Sequence, residues 1–149
     1  MKAVVQRVSS CTVTVDGSVT GKIDRGLLVY LGVAEDDVEE DIAYIARKIT
    51  GLRVFEDEQG KMNLSLTDLP DGRILTVSQF TLLADTKKGR RPSYSKAASP
   101  EKGVEFYNKF NDRLREFGLS PETGRFRASM QVTYTNDGPV TIIIDSKQS

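Results

Sequence analysis

The stretch Leu27-Leu28-Val29-Tyr30-Leu31-Gly32-Val33 is apolar almost throughout and lacks the polar alternation of a half-exposed strand. A strand of this composition is covered on both faces, which places it at the centre of a sheet with further layers packed against it. On its N-terminal side, Ala3 to Val8 and Thr12 to Val15 are rich in β-branched residues at period two and predict two strands. Asp16-Gly17 then predicts a tight turn into Ser18 to Ile23, a hairpin.

On the C-terminal side, Val38, Ile42, Ile45, Ile49 and Leu52 recur at helical spacing, and Asp37 with Glu40 has the form of a capping box. These predict a first helix over about 38–50. The acidic cluster Glu35, Asp36, Asp37, Glu39, Glu40 and Asp41 then complements that helix's dipole and reads as solvated capping in preference to a metal site. Gly51 to Phe55 reads as a short strand and Ile74 to Leu83 as a long one. Ser99-Pro100-Glu101 starts a second helix. Phe106, Phe110, Leu114 and Phe117 form its apolar stripe, and Gly118 ends it. Met130 to Thr135 and Val140 to Ile144 read as two strands about the turn Asn136-Asp137-Gly138-Pro139. This order predicts one α/β domain over residues 1–149, β-rich, with two helices packed on a sheet or barrel-like β layer.

Composition limits the chemistry. Lysine plus arginine equals aspartate plus glutamate at 21 each, so no global field selects a polyanion and any such site is local. No histidine is present, which excludes Ser-His-Asp and Cys-His relays, a histidine base and a histidine-ligated metal. The single cysteine, Cys11, lies in a strand-like run with no cationic neighbour and reads as a small core residue. No metal and no cofactor is expected. The apolar runs fall well short of the roughly 20 residues that span a bilayer, and the N-terminal sequence does not form a secretory leader, so no membrane association and a cytoplasmic location are expected.

Three stretches carry candidate chemistry. Ser78-Gln79-Phe80-Thr81 brings two hydroxyls and an amide together, either to satisfy neighbouring sheet backbone or to form a site. Lys87, Lys88, Arg90 and Arg91 crowd four cations into five positions, either as a solubilising loop or as a phosphate contact. Asn136-Asp137-Gly138-Pro139 is either a plain turn or, because Gly-Pro permits a cis peptide and bares the backbone, a main-chain reader of a ligand.

Taken with Ala84-Asp85-Thr86-Lys87-Lys88-Gly89, Arg91-Pro92-Ser93 and Asn136 to Thr141, the Ser78 to Leu82 motif resembles the D-aminoacyl-tRNA deacylases, and the likeness runs nearly end to end. That resemblance implies hydrolysis of the ester joining a D-amino acid to the terminal adenosine of tRNA, by a homodimer. It implies that Ser78, Gln79, Phe80 and Thr81 form the catalytic pocket and that Gly138 and Pro139, as a cis peptide, enter the partner subunit's pocket. It further implies that Arg7 braces that loop and that Met130 is a further substrate-binding residue. By the same resemblance Lys87, Lys88, Arg90 and Arg91 meet the tRNA, and the 2′-hydroxyl of the terminal ribose helps activate water.

Main-chain groups that exclude an L side chain have none to exclude on glycine, so glycine mischarged on tRNA(Ala) is an expected second substrate. Two positions depart from the family pattern: Arg127 stands where glycine is usual and Arg90 where asparagine is common. Competing readings are a non-catalytic RNA-binding module and a hydrolase of small D-amino acid esters or peptides.

Overall fold

The computed structural model describes residues 1–148. Its strands are β1 (Lys2–Val15), β2 (Ser18–Ile23), β3 (Gly26–Gly32), β4 (Phe55–Glu56), β5 (Met62–Leu64), β6 (Arg73–Ser78), β7 (Glu122–Thr123) and β8 (Gln131–Asp145). Helix α1 (Glu39–Gly51) follows β3, and α2 (Pro100–Glu116) separates β6 from β7.

The β-branched N-terminal run forms one strand of 14 residues instead of two, because exposed Ser9 and Ser10 mark a bend in β1 where its register with β8 shifts. The first half of β1 pairs antiparallel with β3 and the second half with β2, joined through left-handed Asp16 and Gly17 as the Asp-Gly dipeptide predicts. Parallel β6 and β7 extend the sheet beyond β3. Gly21 of β2 lies so close to β7 that a Cβ there would stand 2.5 Å from the Thr123 carbonyl oxygen, and this approach curls the sheet towards a barrel.

Two cores result. Leu27, Val29 and Leu31 pack towards α1 and α2 with Ile45, Ile49 and Phe110, whereas Leu28 turns into the barrel with Val8, Val13, Leu75 and Val77. The apolar run at Leu27 is thus covered on both faces, as its composition requires. Truncating a leucine such as Leu28 costs about 2–5 kcal/mol at sites of this kind. Cys11 also lies in the barrel interior, where burial pushes its thiol up to about 11.

Several boundaries differ from the sequence reading. Helix α1 starts one residue later, and Asp41, not Glu40, closes the cap by accepting from the Val38 N–H at 2.8 Å. Asp37 is unavailable for capping: it is buried, accepting from the Met1 amino group at 2.5 Å and the Ala34 N–H at 2.7 Å. The acidic cluster is therefore only partly solvated. Gly51 completes the helix, so the strand expected over 51–55 shrinks to Phe55–Glu56. In α2 the Ser99 hydroxyl caps the Lys102 N–H as expected, but Phe117 lies beyond the helix and is exposed.

The two largest differences fall on the candidate chemistry. The strand expected over 74–83 ends at Ser78, and Phe80–Leu83 is a 3-10 turn. Leu83 folds back onto β3 at Gly32, where a Cβ would stand 2.6 Å from its side chain. The hairpin expected at 136–139 does not exist: β8 runs on as one strand antiparallel to β1. Between the Val8–Asn136 and Gln6–Thr141 pairs, residues 137–140 stand opposite Arg7 alone, so they are extruded from the ladder as a bulge.

Candidate active site

Strand β6 delivers the first site residues. Its interior end is locked by a buried network in which Thr76 Oγ1 donates to Asn111 Oδ1 at 2.7 Å and Tyr107 OH donates to the Thr76 carbonyl at 2.7 Å. These bonds tie β6 to α2 two residues before Ser78 and leave no polar side chain there unpaired among the described residues. The Gln79 N–H makes the last ladder bond, to Leu31 O at 2.8 Å. The chain then turns, and the first 3-10 bond runs from the Leu82 N–H to Gln79 O. The N–H groups of Phe80 and Thr81 precede that bond and have no acceptor within the turn.

Gln79 Nε2 donates to Thr81 Oγ1 at 2.5 Å, so the Thr81 hydroxyl is held by an amide and not by a base. Phe80 is 55% exposed and meets Tyr94 edge-on, with ring centroids 5.1 Å apart. Beside this turn opens a cavity of about 590 Å³. Val33, Val77, Met130 and Val132 give it apolar walls, Ser78, Gln79 and Phe80 one rim, and Tyr94, Phe126 and Arg127 another. Among the described residues, no carboxylate lines it. Ser78, Gln79, Phe80 and Met130 thus share one cavity, with Thr81 joined to it through Gln79.

Gly138 and Pro139 lie elsewhere. Their peptide bond is cis, and Gly138 has φ +117°. Buried Arg7 faces the bulge, donating from Nε to Asp137 O at 3.3 Å and from Nη1 to Val54 O at 2.6 Å, and its Nε also meets the Asp137 carboxylate at 3.3 Å. The backbone conformation demands glycine, and a Cβ on Gly138 would stand 2.7 Å from Arg7 Nη2 and push the guanidinium aside. Asn136 Nδ2 closes the base of the bulge by donating to Arg7 O at 3.1 Å and Val140 O at 3.0 Å.

Within one chain the bulge and the cavity are far apart. The bulge lies at the level of Val8, which pairs through Gly26 with Arg73 at the start of β6, whereas Ser78 ends that strand. Five residues along and three strands across amount to roughly 20 Å. Neither Gly138 nor Pro139 lines the cavity.

The basic loop is exposed. Its neck is closed by reciprocal Asp85–Ser93 backbone bonds of 2.8 and 2.9 Å, and Lys87, Lys88, Arg90 and Arg91 make no ion pair among the described residues. Lys87 borders a second groove together with Lys2, Lys96 and Lys147, and none of the four loop cations lines the main cavity. Tyr94 and Phe126, which do line it, escaped the sequence reading, since isolated aromatics outside a periodic run carry no positional signal.

Comparison with known proteins identifies the family and the fold. The family description D-Tyr-tRNA(Tyr) deacylase matches residues 4–145. A D-aminoacyl-tRNA deacylase of Thermotoga petrophila is 55% identical over 148 residues, covering 99% of both chains. One of Bacillus velezensis is also 55% identical over 148 residues, covering 99% of this chain and 100% of its own. Among solved structures, the c-Myc DNA Unwinding Element Binding Protein superposes with a TM-score of 0.90 at 44% identity, covering 97% of this chain and 98% of that one. A probable eukaryotic D-amino acid tRNA deacylase shares the fold with a TM-score of 0.82 at 17% identity, covering 96% and 97%.

Proposed function

The chain belongs to the D-aminoacyl-tRNA deacylase family and is a hydrolase of that class, and from that premise we propose how its geometry cleaves a D-aminoacyl ester while sparing the L form. The ester carbonyl sits at the Ser78–Thr81 turn. There the free N–H groups of Phe80 and Thr81 stabilise the oxyanion as water adds to the carbonyl carbon. The exposed Phe80 and Tyr94 rings offer a face to the terminal base. With no histidine in the chain and no carboxylate lining the cavity, the 2′-hydroxyl of the terminal ribose orients the water, and the ester C–O bond breaks with the proton passing to the ribose oxygen. Thr81, held by Gln79, positions this assembly and does not attack. Aminoacyl esters are already activated, so placement and oxyanion stabilisation suffice.

Chirality is read by the Gly138-Pro139 bulge of a second copy. The observation that carries this reading is the separation of roughly 20 Å between a chain's own bulge and its own cavity: a site containing both needs two chains. An open sheet edge supports it. Among the described residues strand β8 pairs only with β1 and leaves its other edge open, and Ile143 on it is 75% exposed. Rigid main-chain groups of the bulge exclude an L side chain and admit a D side chain or hydrogen, so glycine mischarged on tRNA(Ala) is also hydrolysed. The loop from Lys87 to Arg91 holds acceptor-end phosphates. A tRNA substrate supports cytoplasmic work, and no helix among the described residues is long and apolar enough to cross a membrane.

Two measurements test this. D-tyrosyl-tRNA and glycyl-tRNA(Ala) are expected to be deacylated and L-tyrosyl-tRNA spared; equal turnover of both tyrosyl enantiomers would overturn the chirality reading. Mixing Gly138→Ala chains with Phe80→Pro chains, which lack one oxyanion N–H, each strongly impaired alone, is expected to restore about a quarter of the wild-type sites, since half the dimers are mixed and each holds one intact site. No recovery after subunit exchange would place the whole site within one chain.

A further inference from the structure

Arg127 is, among the described residues, the one charged residue lining the cavity beside Ser78–Phe80. It is exposed, and its side chain makes no ion pair or hydrogen bond among the described residues. Its backbone is held in the left-handed region at φ +64°, where residues other than glycine are uncommon. The cause is a reverse turn closed by the Ala128 N–H donating to Arg125 O at 3.1 Å, with Arg127 at the position that favours glycine. A bulky cation kept in an unfavourable conformation at the rim of a cavity is the pattern of a binding group.

The chemistry of the substrate decides what this cation takes. The aminoacyl group carries a positive α-ammonium, which a guanidinium repels, and the ester, ribose and base are neutral. Phosphodiesters are the only anions near the 3′ end. We infer that Arg127 binds the phosphodiester joining the terminal nucleotide to its neighbour, anchoring the 3′ end in the cavity independently of the Lys87–Arg91 loop. The guanidinium fork suits a phosphate's paired oxygens. This inference rests on the placement of the ester at Ser78–Thr81 proposed above.

D-tyrosyl-adenosine, which carries the same ester and base without any phosphate, isolates the contact. The readout is kcat/KM for D-tyrosyl-tRNA divided by kcat/KM for D-tyrosyl-adenosine. In Arg127→Gly and Arg127→Ala this ratio is expected to fall about tenfold, as the loss of one charged hydrogen-bonded contact implies, and the log–log salt slope for tRNA to lose about 0.7, the share of one phosphate on a single strand. Arg127→Lys, which keeps the charge, is expected to retain most of the ratio. An unchanged ratio in Arg127→Gly and Arg127→Ala, with D-tyrosyl-tRNA still hydrolysed, would overturn the role of Arg127 alone. A fall in Arg127→Gly but not in Arg127→Ala would overturn it too, by assigning the effect to the backbone. Failure of the unsubstituted chain to hydrolyse D-tyrosyl-tRNA would overturn both this inference and the site assignment beneath it.

Discussion

The bulge at residues 137–140, the proposed chirality reader, and the basic loop at 87–91, the proposed phosphate contact, are both irregular segments, and they are held in opposite ways. The bulge is flanked by β-ladder on each side, clamped by buried Arg7 and pinned at its base by Asn136. Among the described residues the loop is tied by the Asp85 and Ser93 backbone bonds at its neck and by the Lys87 N–H donating to Asp85 Oδ1 at 2.9 Å, and a Cβ on its Gly89 would meet nothing within 4 Å. The difference fits what each is proposed to read. Excluding one enantiomer requires backbone atoms fixed to a fraction of an ångström, whereas attraction to phosphate falls off slowly and tolerates motion.

If that contrast is right, substitutions in the bulge act on turnover and chirality, and substitutions in the loop act on affinity. The largest effect belongs to Gly138→Ala, because φ +117° is hostile to alanine and a methyl group 2.7 Å from Arg7 Nη2 would displace the clamping guanidinium. Displacing a main-chain filter by about 1 Å costs on the order of 100-fold in kcat/KM, measurable with D-tyrosyl-tRNA. Next is Arg7→Met, which strips the donors from Asp137 O and Val54 O and is expected to destabilise the fold by about 2–4 kcal/mol by urea denaturation, with loss of preference for D over L. Preserved stability and preference in that variant would break the comparison, showing the bulge to be rigid without its clamp.

These two effects were only partly legible in the sequence. The apolar run at Leu27, the Asp-Gly turn and the Ser99 cap behave as their local chemistry dictates, because each depends on residues adjacent in the chain. Ile74 to Leu83 misleads because a 3-10 turn carries the same mixture of apolar and polar residues as a strand. What stops β6 at Ser78 is the packing of Leu83 over Gly32, a contact between distant segments. Asn136-Asp137-Gly138-Pro139 misleads in a similar way: the residues that close a hairpin also build a bulge, and only the pairing of β1 with both flanks of β8 tells them apart. The departure from glycine at Arg127 is visible in the sequence, but the left-handed backbone that explains the usual glycine is not.

The smaller effects sharpen the contrast from the loop side. Lys87→Ala with Lys88→Ala is expected to raise KM for D-tyrosyl-tRNA about tenfold and to lower its salt slope by between about one and two, leaving the preference for D over L unchanged. A changed preference would mean that the loop also shapes the site. Thr81→Ala is expected to lose less than about tenfold in kcat, the range of a positioning hydrogen bond, where a nucleophile's removal would cost several orders of magnitude. Smallest is a thermal shift: Arg127→Gly relieves the left-handed strain and is expected to raise Tm by about 2–4 °C for about 1 kcal/mol. An unchanged Tm would show that the turn tolerates arginine without strain.

The buried Cys11 has a practical consequence. With its thiol raised to about 11 and enclosed in the barrel, it stays protonated and out of reach of alkylating reagents at neutral pH. A cysteine introduced at an exposed turn position such as Glu58 would then be the sole site for a spin label or fluorophore, so distances between two associated chains can be recorded in solution with the native thiol left in place.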